Sequence, residues 1–294
     1  MIGGPRRAFL VVSALRDKAW LWTLIGHLHD VLDRDGVDLV FKAPHRDYDV
    51  LGTRRLLRGI TQRGDDRCGF VMVTDPARLG AALHEFSAEL GGPVVYVDVE
   101  PFTREEDYPA VTAFVGYSAR EIGVTAGRWV GRVLPGPESA VHIVASREHA
   151  GRQDGFVEAL RAALPGTRVS VDDTCAFTRA LAQDSVRARL RRGPLDAVFG
   201  TNDEMALGAV DALRWADRED VFVVGVDGAA DALALIDAGD SPLRATVVQD
   251  SYAIAEAAVD LMHRLLGGRP VRTRTFLEPV VHLNRTREST STGR

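Results

Sequence analysis

The stretch Val198–Leu213, VFGTNDEMALGAVDAL, decides how the chain is read. An apolar run, DAVFG, stops at a polar Thr-Asn-Asp, and an Ala/Leu-rich segment of helical period begins at once. Asn is a strong N-cap residue, and acids in a first helical turn face the positive end of the helix dipole. The same side chains also fall where a strand ends, which is where ligands bind in open parallel sheets. Asn202 therefore carries two readings, a cap and a binding residue.

Working outward, the same alternation runs along the whole chain. Strand candidates lie at 8–12, 37–41, 69–73, 93–97, 140–144, 167–171, 196–200, 221–226, 244–248 and 276–283. Helical periods between them are predicted near 20–34, 51–62, 77–90, 119–133, 150–163, 179–190, 203–215, 230–238 and 251–266. Strands that are continuously apolar rather than alternating belong to sheets covered on both faces. Their regular exchange with helices predicts parallel α/β sheets. Ser118 and Glu121 fit a capping box at one helix start. Leu164–Gly166 and Leu266–Gly268 carry the glycine and proline that close helices.

With 294 residues, the chain suits two lobes better than one core. Its 46% hydrophobic and 26% charged residues are ordinary for a globular protein. A formal net charge of −5 argues against direct DNA binding, which rests on a basic excess. Cys68 and Cys175 stand in unrelated contexts without a CxxC pair or zinc spacing, so they are expected as reduced, packed thiols in a cytosolic protein with no metal. The opening MIGGPRRAFLVVSAL runs straight into charged residues and reads as a first strand rather than a signal peptide. No apolar run is long enough to span a membrane as a helix.

The residues just past each strand form a consistent set. Asp17 and Trp20 follow the first strand and Asp98 the fourth. Arg152 opens a helix, and Phe177 ends the loop after 167–171. Asn202, Asp227 and Gln249 follow three further strands. Carboxylates and amides hold paired hydroxyls, and a guanidinium donates several hydrogen bonds in one plane. Aromatic faces suit the C–H side of a sugar ring. Each residue also has a plain structural reading: cap, turn, surface arginine or core aromatic. The binding case rests on their shared place at strand ends.

At this point the residues resemble a known family. VFGTNDEMALGAVDAL, then DVFVVGVDGAADALALIDAG and LRATVVQD, are similar to the C-terminal half of the ribose-binding-protein group, which shares its fold with the effector domains of LacI/GalR transcription regulators (periplasmic binding protein-like, type I). The resemblance runs from Arg7 to about Leu283 and is densest from Leu195 to Gln249. The ending VVHLNRTREST resembles that of LacI/GalR regulators. The resemblance implies two Rossmann-like α/β lobes with parallel sheets, joined by three crossover strands near 114–116, 247–249 and 275–279. It implies an N-terminal lobe of 6–115 plus 249–276, a C-terminal lobe of 116–248 plus 277–286, and a flexible tail at 287–294. A ligand between the lobes, closed on by hinge bending, would touch Asp98, Arg152, Phe177, Asn202, Asp227 and Gln249. Asp17 and Trp20 fall where the family has an Asn and an aromatic.

Two departures stand out. Val99 follows Asp98 where ribose binders commonly have Arg, and the first loop carries Arg16, Asp17 and Lys18. The ligand, expected to be a monosaccharide or derivative, is therefore open. The leading expectation is the effector domain of a cytoplasmic LacI/GalR-like transcription regulator, non-catalytic, without cofactor and homodimeric. No helix-turn-helix precedes Arg6, so operator DNA would be reached only through a domain outside this chain. The alternative is the sugar-binding receptor of an ABC transporter, with the same ligand chemistry. An α/β enzyme is the third reading; no GxGxxG, P-loop, GxSxG or HExxH supports it.

Overall fold

A computed structural model describes residues 7–14, 19–64, 67–73 and 75–284. Asp17, Arg16, Lys18 and the expected tail at 287–294 lie outside them. The chain divides into two compact units. One runs to Tyr117 and takes up Asp250–Leu277; the other holds Ser118–Gln249 and the chain from Glu278 onward. The fold is two α/β units with mostly parallel sheets, as expected.

The first unit strings β1 (Arg7–Val12), α1 (Ala19–Arg34), β2 (Asp38–Lys42), α2 (Val50–Arg63), β3 (Gly69–Met72), α3 (Pro76–Leu90), β4 (Val94–Asp98) and β5 (Thr112–Tyr117). The second contains α4 (Ala119–Val133), β6 (Ala140–Val144), α5 (Ala150–Ala163), β7 (Arg168–Asp172), α6 (Arg179–Leu190), β8 (Ala197–Gly200), α7 (Asp203–Trp215), β9 (Phe222–Asp227), α8 (Ala230–Ala238) and β10 (Leu243–Val248). The chain then returns to the first unit with α9 (Ser251–Leu266) and β11 (Arg274–Leu277), and ends in the second with β12 (Val280–Leu283).

Both sheets have six strands, in the orders β11-β5-β4-β3-β1-β2 and β12-β10-β9-β8-β6-β7. Position by position these are the same sheet, except that β11 joins β5 in parallel and β12 joins β10 antiparallel. Residues 112–117 are a fully buried strand, β5, longer than the crossover strand expected near 114–116 and left out of the strand candidates. One expectation needs revision. The expected single strand at 276–283 is two, parted at Glu278-Pro279, because proline cannot donate to a ladder.

Each unit closes its own core. In the first, Phe9, Leu57, Ile60, Val71, Leu83 and Phe86 pack together, and the buried Tyr96 hydroxyl is satisfied by Ser87 Oγ at 2.7 Å. Helix α9 is held to α1 by His27 Nδ1 against Ser251 Oγ at 3.0 Å. In the second, Phe156 and Phe199 stack at 4.2 Å across helix and sheet. Helices α4 and α5 approach backbone to backbone: a Cβ on Gly123 would lie 2.0 Å from the Arg152 carbonyl oxygen, and one on Gly155 2.2 Å from that of Arg120. That contact fixes the start of α5, where Arg152 stands. The two cysteines are buried, one in each unit, and do not form a disulfide. No described helix is long and apolar enough to cross a membrane.

Candidate functional site

The C-terminal strand ends of the second unit gather five of the expected residues. Arg152, in the first turn of α5, is buried, and its Nη1 donates to the Thr201 carbonyl at 2.7 Å and to Asp227 Oδ1 at 3.2 Å. The side chains of this pair are only 10% and 13% exposed. Gln249, just past β10, donates from Nε2 to the same Asp227 oxygen at 2.7 Å. Its backbone N–H donates to the Asp227 carbonyl at 3.2 Å. Burial raises the Asp227 carboxyl above its usual range, and Arg152 and Gln249 pull against that rise.

Asn202 is a true N-cap: its Oδ1 accepts from Met205 N–H at 2.9 Å, with extended backbone at φ −149° and ψ 169°. The cap uses the side-chain oxygen and not the Nδ2 donors. Both readings of the opening stretch are thus compatible in one side chain. Phe177 is half-buried at φ 64°, edge-on to His149 at 4.8 Å. His149 Nδ1 lies 3.2 Å from Thr201 Oγ1, which links Phe177 to the strand end that Arg152 grips.

Asp227 itself adopts φ 119°, followed by Gly228 at φ 76°. A non-glycine residue there is strained, at a cost of about 1–3 kcal/mol, and such strain persists where surrounding contacts over-determine it. Asp203 supplies part of that surrounding. It is buried at 1% exposure, and its Oδ1 and Oδ2 accept from the Thr246 hydroxyl and the Ala229 N–H, both at 2.7 Å. Burial first, and the neighbouring Asp227 second, push its carboxyl well above the ordinary range.

Thr201, His149 and Thr246 escaped the sequence reading. Asp203 was noted past its strand and as a first-turn acid, but nothing in the local pattern shows its reach to Thr246. In the first unit, Asp98 closes β4, half-buried, at φ 74°, and Trp20 is half-buried in the first turn of α1. Trp22, two residues on, is 49% exposed and stacks on Phe41 at 6.0 Å. Among the described residues no group of three or more His, Cys, Asp or Glu could hold a metal ion.

Comparison with known proteins bears on which use such a site has. A protein of Rhizobium meliloti provisionally named as rhizopine-binding is 28% identical over 252 residues, covering 83% of this chain and 79% of that protein. The ribose import binding protein RbsB of Escherichia coli K12 is 34% identical over 131 residues, 44% of this chain and 42% of its own length. An ABC transporter periplasmic solute-binding protein from Actinobacillus succinogenes, solved with D-allose, shares the fold at TM-score 0.84 and 17% identity, over 98% of this chain and all of that one, 100%.

These relatives overturn the expectation of a cytoplasmic LacI/GalR-type domain engaged in transcription regulation: they are named as solute-binding proteins, of ribose import and of ABC transport. The error has a physical source. Strand tips and a capped helix start specify what can be bound, and both groups use the same fold to bind it. The Periplasmic binding protein domain family matches residues 70–270, and the chain belongs to that family.

Proposed function

We propose that this chain is a non-catalytic receptor for a small neutral sugar or polyol, of the kind that delivers solute to an ABC transporter and works outside the cytoplasm. The observation that carries the reading is the joined cluster Arg152–Asp227–Gln249, with the cap Asn202, gathered from a helix start and strand ends of one sheet. Arg152 and Asp227 neutralise each other, so the cluster offers oriented donors and one carboxylate without a surplus cation. A neutral polyhydroxylated guest fits that balance; a phosphate would enter without a counter-charge. Phe177 adds an apolar face. Asp98, Trp20 and Asp17 are proposed as further ligand contacts, on the family resemblance alone. The relatives' names support the transporter side of the proposal.

Thermal-shift screening against pentoses, hexoses, inositols and alditols, with sugar phosphates as controls, tests it. A ligand at a hundred times its dissociation constant adds about 2.7 kcal/mol of apparent stability. Asp227→Asn, which keeps an oxygen for Gln249, is expected to weaken binding about a hundredfold by removing the charged acceptor. A screen in which only phosphorylated sugars shift the melting point, or turnover of any sugar by the purified protein, would overturn the reading. Light scattering at micromolar concentration measures whether the homodimer implied by the regulator expectation exists.

A further inference from the structure

We infer that Asp203 is the positioning residue of this site: it ties the start of α7 to the turn after β9 and to strand β10, so that Asp227 is held in its strained, ligand-facing conformation. The inference rests on the reading of Asp227 as a ligand contact. Asp203 is the first residue of α7, just past Thr201 and Asn202, which follow the end of β8. One carboxylate oxygen takes the hydroxyl of Thr246 on β10, and the other takes the N–H of Ala229, two residues past the end of β9. A single buried side chain therefore ties the start of α7, which follows β8, to the turn after β9 and to strand β10.

The sheet is shaped to admit it. A Cβ on Gly225, in the middle of β9, would lie 2.2 Å from Asp203 Oδ1, so the carboxyl occupies space that any other residue at 225 would fill. With Ala229 fixed from behind, the intervening turn at Asp227 and Gly228 is pinned at φ 119° and 76°. Released, Asp227 would relax toward ordinary backbone angles and carry its Oδ1 away from Arg152 and Gln249. Asp203 does not compete for those partners. Its own hydrogen bonds come from neutral donors, and the charged groups facing it are Asp227 and, behind that, Arg152. A neutral amide of the same shape can make both bonds, with its oxygen toward Ala229 and its NH2 toward Thr246.

The test uses the full chain with Asp203→Ala, Asp203→Asn and Thr246→Val. Amide hydrogen exchange is followed without ligand, and D-ribose, D-allose and myo-inositol are titrated by calorimetry. Asp203→Ala is expected to speed exchange at Gly228 and Ala229 at least tenfold and to weaken the bound probe at least tenfold. Asp203→Asn is expected to restore both to within threefold of wild type. Unchanged exchange in Asp203→Ala, or an Asp203→Asn as impaired as the alanine, overturns the clamp. Faster exchange with full probe affinity overturns its positioning role. If Asp203→Ala does not fold, Thr246→Val decides: protection at Gly228 and Ala229 must fall while strands β6 and β7 keep theirs. An Asp227→Asn that binds every probe normally would instead show that the site was misassigned, while the exchange result still judges the clamp.

Discussion

The two sheets have the same strand order, and in the second the strand ends are joined by the bonds of Arg152, Gln249 and Asp203. In each, the third strand of that order ends in an aspartate at positive φ: Asp98 at 74° on β4 and Asp227 at 119° on β9. The strand before it leads into a capped helix in both units, with Asp75 and Asn202 as the caps. The next residue differs. The first unit has Pro76, a helix-starting residue, where the second has Asp203, which reaches across two strands. The first unit's nearby ion pair, Glu100 with Arg274 of β11, is 25% and 30% exposed, against 13% and 10% for Asp227 and Arg152. A common topology therefore sets the places, and in the second unit a few long-range side-chain bonds hold them in a fixed arrangement.

The largest expected effect sets those two ion pairs against each other. Arg152→Met leaves the Asp227 carboxylate buried beside an unmatched Thr201 carbonyl, and is expected to cost about 3–5 kcal/mol. Arg274→Met removes a pair that water already screens, and is expected to cost less than about 1 kcal/mol. Urea unfolding of both variants measures the gap. Equal losses would mean that the two units do not differ in the way their burial indicates.

A second asymmetry sits deeper in the strands. Two residues before its end, β1 has Leu10, whereas β6 has His142. His142 is buried, with Nδ1 2.9 Å from Ser170 Oγ and Nε2 3.0 Å from Ser185 Oγ. Burial lowers its pKa from 6.5 to about 4. Above pH 6.5 the ring is neutral in both folded and unfolded chains. As pH falls below 6.5 the unfolded chain takes up a proton that the folded one refuses, so stability declines until about pH 4. The full loss is about 3 kcal/mol. His142→Leu is expected to flatten that part of the stability–pH curve. Exchange at pH 5 should rise in the second unit before the first; a first-unit onset would break the comparison.

Legibility in the sequence followed the range of the interaction. The nine helical periods and most strands were visible because side-chain periodicity is local. The strand at Thr112–Tyr117 was expected only as a short crossover strand near 114–116, and the strand over 276–283 hid a proline interruption. At the site, residue chemistry at each strand end could be seen, but pairing could not. The grip of Arg152 on the Thr201 carbonyl joins positions 49 residues apart, and that of Asp203 on Thr246 joins positions 43 apart. No local pattern reports such bonds. The choice between regulator and transport receptor was hidden for another reason: the chemistry at the strand ends is the same for both.

The smallest effect returns to the caps. Asn202→Ala removes the acceptor for the buried Met205 N–H, and is expected to cost about 1–2 kcal/mol. Asp75→Ala removes the acceptor for the exposed Arg78 N–H, which water can replace, and is expected to cost about 0.5 kcal/mol. Asn202→Asp separates the two roles of the side chain. It keeps the cap oxygen, so thermal stability should hold within a few tenths of a kcal/mol. It also replaces the NH2 donors with a second carboxylate oxygen, so binding in the sugar screen should weaken at least tenfold through lost donation. If Asn202→Asp binds as wild type does, Asn202 is a cap and nothing more, and the second unit's advantage over the first rests on Asp203, Arg152 and Gln249 alone.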